Sequence, residues 1–168
     1  MTENMSPKST TKGRASMDAM AIVRYIAETY PDADVLTAGN GTYFSCDAEK
    51  HWPNFATLVT SDEFDGETDE KGTWIPRSFS DLGRPGVYRL NIGLSKATFD
   101  TAVAGVTDPD YTAFDRVMPH PVYATQHWVC ILNPTQATFD EVVKPLLDEA
   151  YERVARGYRK ATADRARE

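Results

Sequence analysis

The chain has 168 residues, a length that suits one domain with a core of its own. Hydrophobic residues make up 41% and charged residues 26%, the balance of an ordinary soluble globular protein. A formal charge of −7 and a pI of about 5.0 oppose generic binding to phosphate backbones, so duplex nucleic acid is not an expected partner.

The first residues, MTENMSPKSTTKGRAS, lack the apolar stretch of a secretory signal, and no apolar run approaches the roughly 18 residues of a membrane span. A cytoplasmic protein with no membrane association is expected. Cys46 and Cys130 are two and far apart, so no disulfide framework follows, and each reads as a small hydrophobe in a strand.

Residues 1–15 are polar and aperiodic and read as a disordered leader. Ser16 reads as the N-cap of a helix whose apolar face is Met17, Met20, Val23, Ile26, Ala27 and Tyr30, ended by Pro31. Asn40-Gly41 then predicts a hairpin turn between strands near Val35–Ala38 and Thr42–Cys46. Residues 55–60, FATLVT, predict a third strand. Residues 61–73 hold six acids and one lysine and read as a solvated surface loop. A hard cation or a basic partner is the other reading of such a segment, but the EF-hand spacing is absent.

Val87–Ile92 alternates, with Val87, Arg89 and Asn91 on one face and Tyr88, Leu90 and Ile92 on the other, which predicts a strand with one polar face. Ser95 reads as the cap of a short helix through about Val103. Residues 104–126 are rich in turn signals. HWVCIL, 127–132, predicts a central apolar strand carrying a buried Trp128, and residues 118–126 an ordered loop at the end of the sheet. Thr138 with Glu141 reads as a capping box opening the last helix, whose apolar face runs from Val142 and Val143 through Leu146, Leu147, Ala150 and Tyr151 to Val154. Pro145 either kinks this helix or starts a new one. Residues 159–168 read as a charged, frayed tail, leaving 16–158 as one domain. Hairpins dominate and no βαβ series is present. The fold class is therefore α+β: an antiparallel sheet of about five strands with N- and C-terminal helices on one face.

Chemistry concentrates in DRVMPHPVYATQHWVCILNP, 115–134. Prolines on both sides of His120 hold its ring to a narrow range of directions, which suits a general acid or base or a binding site. The alternative role is turn-shaping, with the ring bonded to its own backbone. Arg89 and Asn91, on the polar face of one strand, are candidates to fix an anion or a carboxylate ligand if that face is concave. Tyr111, Tyr123 and Trp128 are candidate walls of such a pocket, with a place in the core as the alternative for each. His51 and His127 have no partner at metal-ligand spacing, so no metal site is expected, and no cofactor motif is present. There is no nucleophile elbow, P-loop or dinucleotide fingerprint.

GRPGVYRLNIGLS, YTAFDRVMPHPVYA, HWVCILNP and FDEVVKPLLDEAY, in this order, resemble a bacterial domain-of-unknown-function family, number six-one-nine-four, over about residues 17–158. That resemblance brings no activity with it. The strand with a tryptophan followed by PLLDEAY is also similar, more weakly, to the MmcQ/YjbR-like double-wing proteins. This likeness implies a compact α+β fold and a DNA-binding role, from which the acidic segment and the net charge here depart.

Three functions remain distinct. The reading adopted is a non-catalytic cytoplasmic module that binds a small molecule or a protein. The second is an enzyme using His120 with Asp115 or Arg89, and the third a double-wing nucleic-acid module. A deep pocket lined by His120 and Arg89 would favour the enzyme, a shallow one with neither the binding module, and a basic groove the nucleic-acid module.

Overall fold

The computed structural model of the chain describes residues 15–167. The expected leader lies outside the described residues except for Ala15. Six strands form one antiparallel sheet in the order β1-β2-β3-β6-β8-β7: β1 is Asp34–Ala38, β2 Gly41–Ser45, β3 Asn54–Val59, β6 Arg89–Gly93, β7 Met118–Pro119 and β8 Trp128–Leu132. A separate hairpin pairs β4, Gly66–Thr68, with β5, Trp74–Pro76. The fold is α+β as the pattern implies. The sixth strand is the two-residue β7, which the PHP segment concealed.

Local chemistry explains most of the boundaries, and several lie a few residues from their expected place. Helix α1, Ala19–Thr29, is preceded by Asp18, not capped by Ser16. Ser16 instead bridges Thr135, and the Met17 amide donates to the Pro134 carbonyl at 2.8 Å, so this stretch runs as extended chain beside the end of β8. In the first hairpin Ala38 pairs Gly41, so the turn residues are Gly39-Asn40. Gly39, at φ 58°, supplies the positive φ at the first central position. Ser95 caps α2, Lys96–Ala102, by accepting from the Thr98 amide. Thr135, not Thr138, caps the last helix. That helix runs through α3, Gln136–Thr138, a π-helical turn at Phe139–Val143, and α4, Lys144–Arg165. Pro145 explains the π turn. It has no N–H and its ring excludes the carbonyl four residues back, and the wider turn just before it gives that ring room. The helix continues to Arg165, through most of the segment expected to fray.

Alternation assigns the two faces of the sheet. Phe44, Leu58, Leu90, Ile92, Val129 and Ile131 point to one face. There they meet Ile22 and Ile26 of α1 and Leu147, Ala150, Tyr151 and Val154 of the C-terminal helix. The pairing of β2 with β3 shifts between Phe44 and Ser45, leaving Phe55 as an extra residue that joins Ala56 on the helix side. Tyr30 and Tyr151 stack above it with ring centres 4.5 Å apart.

The opposite face carries cross-strand rows. Tyr43, Thr57, Asn91 and Cys130 form one row, and Gly41, Val59, Arg89 and Leu132 the next. A second apolar cluster, including Leu82, Val87, Met118, Cys130 and Leu132, covers part of this face. Trp128 corrects the expectation of a core tryptophan. It is half-buried and pairs with Gly93, on whose missing side chain its indole rests. A Cβ built at Gly93 would lie 2.9 Å from the indole ring. Gly93→Ala is therefore expected to push Trp128 aside, costing on the order of 1–3 kcal/mol and shifting the tryptophan emission. An unchanged spectrum and denaturant midpoint would show that the ring does not rest there.

Candidate functional site

A pocket of about 420 Å³ opens on the sheet face that the helices leave free. This lies within the roughly 300–1,000 Å³ of small-molecule sites. Its floor is Tyr43, Thr57, Val59, Arg89 and Asn91, contributed by three adjacent strands, with Trp128 at the next strand. Trp52 and Asn54 form one wall, Phe64 and Asp65 another, and His120, Tyr123 and Gln126 a third. Trp52 is 67% exposed and Tyr123 43% exposed, so aromatic surface flanks the mouth.

Arg89 organises the floor. Alternation turns its side chain away from the helices, and it is 1% exposed. Its Nη1 and Nη2 donate to the two carboxylate oxygens of Asp65 at 2.7 and 2.8 Å. Asp65 is itself 1% exposed. Nη1 also donates to Ser80 Oγ at 3.0 Å, and Nε donates to Asn91 Oδ1 at 2.9 Å. Asn91 passes the connection on, donating to Thr57 Oγ1 at 3.0 Å. A buried ion pair persists only when its geometry is good and its remaining hydrogen-bonding groups are engaged; here the geometry is bidentate and four of the five Arg89 N–H groups have an oxygen acceptor. The expectation that Arg89 and Asn91 fix an anion is corrected accordingly: Asp65 already balances the charge. The expectation of a solvated acidic loop over 61–73 is corrected at the same place. Asp65 is drawn inside by Arg89, and the remaining acids sit on or beside the β4–β5 hairpin.

His120 sits in the same pocket, 3% exposed. Its amide donates to the Trp128 carbonyl at 2.9 Å, extending the β7–β8 pairing by one residue. Its Nδ1 accepts from the amides of Val122 and Tyr123, both at 3.0 Å, so the ring caps its own proline turn. Burial, and secondarily the Arg89 charge, push its pKa down to about 3. The imidazole is thus neutral at physiological pH. With Nδ1 accepting, its proton is on Nε2. In this state Nε2 turns a hydrogen, and no lone pair, toward the pocket.

The same shift couples to stability. A folded pKa of about 3 lies below the unfolded value of about 6.5, so the unfolded chain binds the proton first as pH falls. The contribution is fully present above pH 6.5 and is lost progressively from there toward pH 3. Between pH 7 and pH 5 the wild type should lose about 2 kcal/mol through this group alone. A His120→Gln variant should show a correspondingly shallower stability-versus-pH slope over that interval. Identical slopes would show that His120 titrates normally in the folded state.

Of the residues expected at a site, His120, Arg89, Asn91, Tyr123 and Trp128 come together in the pocket. Tyr111 does not. It packs against the second apolar cluster and edge-on to Phe79, with ring centres 6.3 Å apart. Asp115, the other partner considered for His120, accepts from the Thr135 amide at 2.7 Å, beneath the start of α3. His51 pairs with Asp34 at 2.7 Å, and His127 lies against Phe99. Tyr43, Trp52, Asn54, Thr57, Phe64 and Asp65 escaped the sequence reading. For Tyr43 and Thr57 the signal was strand alternation, usable only once the strand order was known. For Asp65 it was the phenylalanine beside it, the one aromatic residue of the segment 61–70. Among the described residues no group of three or more His, Cys, Asp or Glu side chains is placed to hold a metal ion, and no helix is long and apolar enough to cross a membrane.

These features define an α+β protein with a ligand-sized, aromatic-walled pocket on the free face of an antiparallel sheet. The chain belongs to DUF6194, a family of unknown function, whose family model matches residues 17–163. It is similar in fold to a crystal structure of a protein from Pseudomonas syringae. The two share 9% sequence identity at a TM-score of 0.50, over 82% of this chain and 99% of that one. No curated protein matches the chain.

Proposed function

We propose that this protein is a non-catalytic cytoplasmic module that binds a small organic molecule in the pocket above Arg89. The observation that carries this reading is the pairing of a preformed, aromatic-walled pocket with an ionic network that is already neutral within itself. Binding sites place a few fixed polar groups among apolar walls, and rigid polar groups limit the ordering cost of binding. Both His120 and Arg89 line the pocket, which is the arrangement that would favour an enzyme. The protonation state of His120 and the engagement of Arg89 by Asp65 weigh against proton transfer there.

A thermal-shift screen of ring-containing fragments tests the reading. A fragment held at ten times its Kd stabilises the folded state by about 1.4 kcal/mol, roughly 3–6 °C for a chain of this size. Such shifts are expected for wild type and should vanish in Thr57→Phe, which fills the floor. An absence of shifts, or shifts equal in the variant, would remove the pocket as the binding site.

A further inference from the structure

His120 receives more donors than one neutral imidazole accepts. The amides of Val122 and Tyr123 converge on Nδ1 at 3.0 Å, and Arg89 Nη2 approaches Nε2 at 3.5 Å. A neutral ring has one lone-pair nitrogen and one N–H. Two short bonds to Nδ1 outweigh one long contact to Nε2, so Nε2 bears the proton. Nε2–H and an N–H of Arg89 then face each other as two donors with no acceptor between them from the described residues. Both groups are buried, and both line the pocket. Buried donors without an acceptor are costly, so an oxygen that serves both is bound with advantage.

The charges around the donor pair sum to zero, because Asp65 matches Arg89 and His120 is neutral. A ligand carboxylate seated there would meet the Asp65 carboxylate across the guanidinium and gain no net attraction. A carbonyl oxygen is served by the same two donors without that penalty. Trp52, Tyr123 and Trp128 supply flat apolar surface to either side.

We propose, building on the small-molecule reading above, that the ligand is an uncharged planar ring compound whose carbonyl oxygen accepts from His120 Nε2–H and Arg89 Nη2–H.

Three bicyclic probes of matched size test this by titration with tryptophan fluorescence as readout: 2-quinolone, quinoline-2-carboxylate and naphthalene. The lactam 2-quinolone should bind at least tenfold more tightly than the other two, with equal affinity at pH 6 and pH 8. The Asp65→Ala/Arg89→Met double variant, in which both members of the buried pair become apolar, should weaken 2-quinolone at least fivefold and leave naphthalene unchanged. In parallel, imidazole ¹⁵N shifts should report the proton of His120 on Nε2 throughout pH 5–8. Preferential binding of the carboxylate or of naphthalene would overturn the ligand class while leaving the pocket a binding site. A proton on Nδ1 would overturn the donor pair. Binding of none of the three, where other fragments still give thermal shifts that vanish in Thr57→Phe, would overturn the ligand class alone; the absence of such shifts as well would overturn the small-molecule reading.

Discussion

Asp65→Ala is expected to lower stability by about 3–5 kcal/mol, the cost of leaving a buried charge without its partner. The carboxylate is 1% exposed and takes two of the five N–H groups of Arg89, whose remaining neighbours Ser80, Asn91 and His120 are all neutral. Removing it strands a guanidinium that is 1% exposed and cannot be deprotonated. The double variant Asp65→Ala/Arg89→Met should recover most of the loss, since replacing both members of a buried pair by apolar groups is often neutral or favourable. Urea denaturation of the two variants and the wild type measures both effects. A wild-type midpoint for Asp65→Ala alone would mean that Arg89 reaches solvent. The double variant also separates structure from recognition: it should fold while losing the donor that Arg89 presents to the pocket.

Phe55→Ala should cost a comparable amount, about 3–5 kcal/mol, through a different term. Phe55 is fully buried and meets three rings, Tyr30, Phe44 and Tyr151, at centroid separations of 5.9, 6.2 and 5.6 Å. Truncation removes the apolar surface and the edge-on aromatic contacts together and leaves a cavity between α1, α4 and the sheet. Trp52→Ala is the internal control. This ring is larger, but it lies at the pocket mouth and is 67% exposed, so its loss should change stability by less than about 0.5 kcal/mol. Equal losses from the two substitutions would contradict the placement of Phe55 at the bulge.

The elements were legible in the sequence wherever their signal is local. The hairpin turn, read at Asn40-Gly41 and found one residue earlier at Gly39-Asn40, the alternation from Val87 to Ile92, the Ser95 cap and the apolar run of β8 all depend on neighbours within a few positions. Ser16 and Thr138 each have the chemistry of a cap, but each boundary is displaced. Ser16 pairs with Thr135, 119 positions along the chain, and the first helix begins after that pairing. Thr135 caps the last helix locally, by accepting from the Thr138 amide.

The candidate site divides the same way. Proline on both sides of His120 and the polar face of β6 marked two of its walls from residue type and period alone. What these residues do there depended on the partners that the fold brings in. Asp65 arrives from 24 positions away and turns Arg89 from an anion anchor into a neutral floor. The Val122 and Tyr123 amides fix the imidazole tautomer, and burial holds it uncharged. Sequence by itself determined the α+β class, the two faces of β6 and the constrained setting of His120, because helix and strand periods act over short stretches. Tertiary structure alone decided the strand order, the bulge at Phe55 and the charge state of the pocket, because a hydrogen bond or a desolvated charge takes its energy from whatever group lies within about 3 Å, at any distance along the chain.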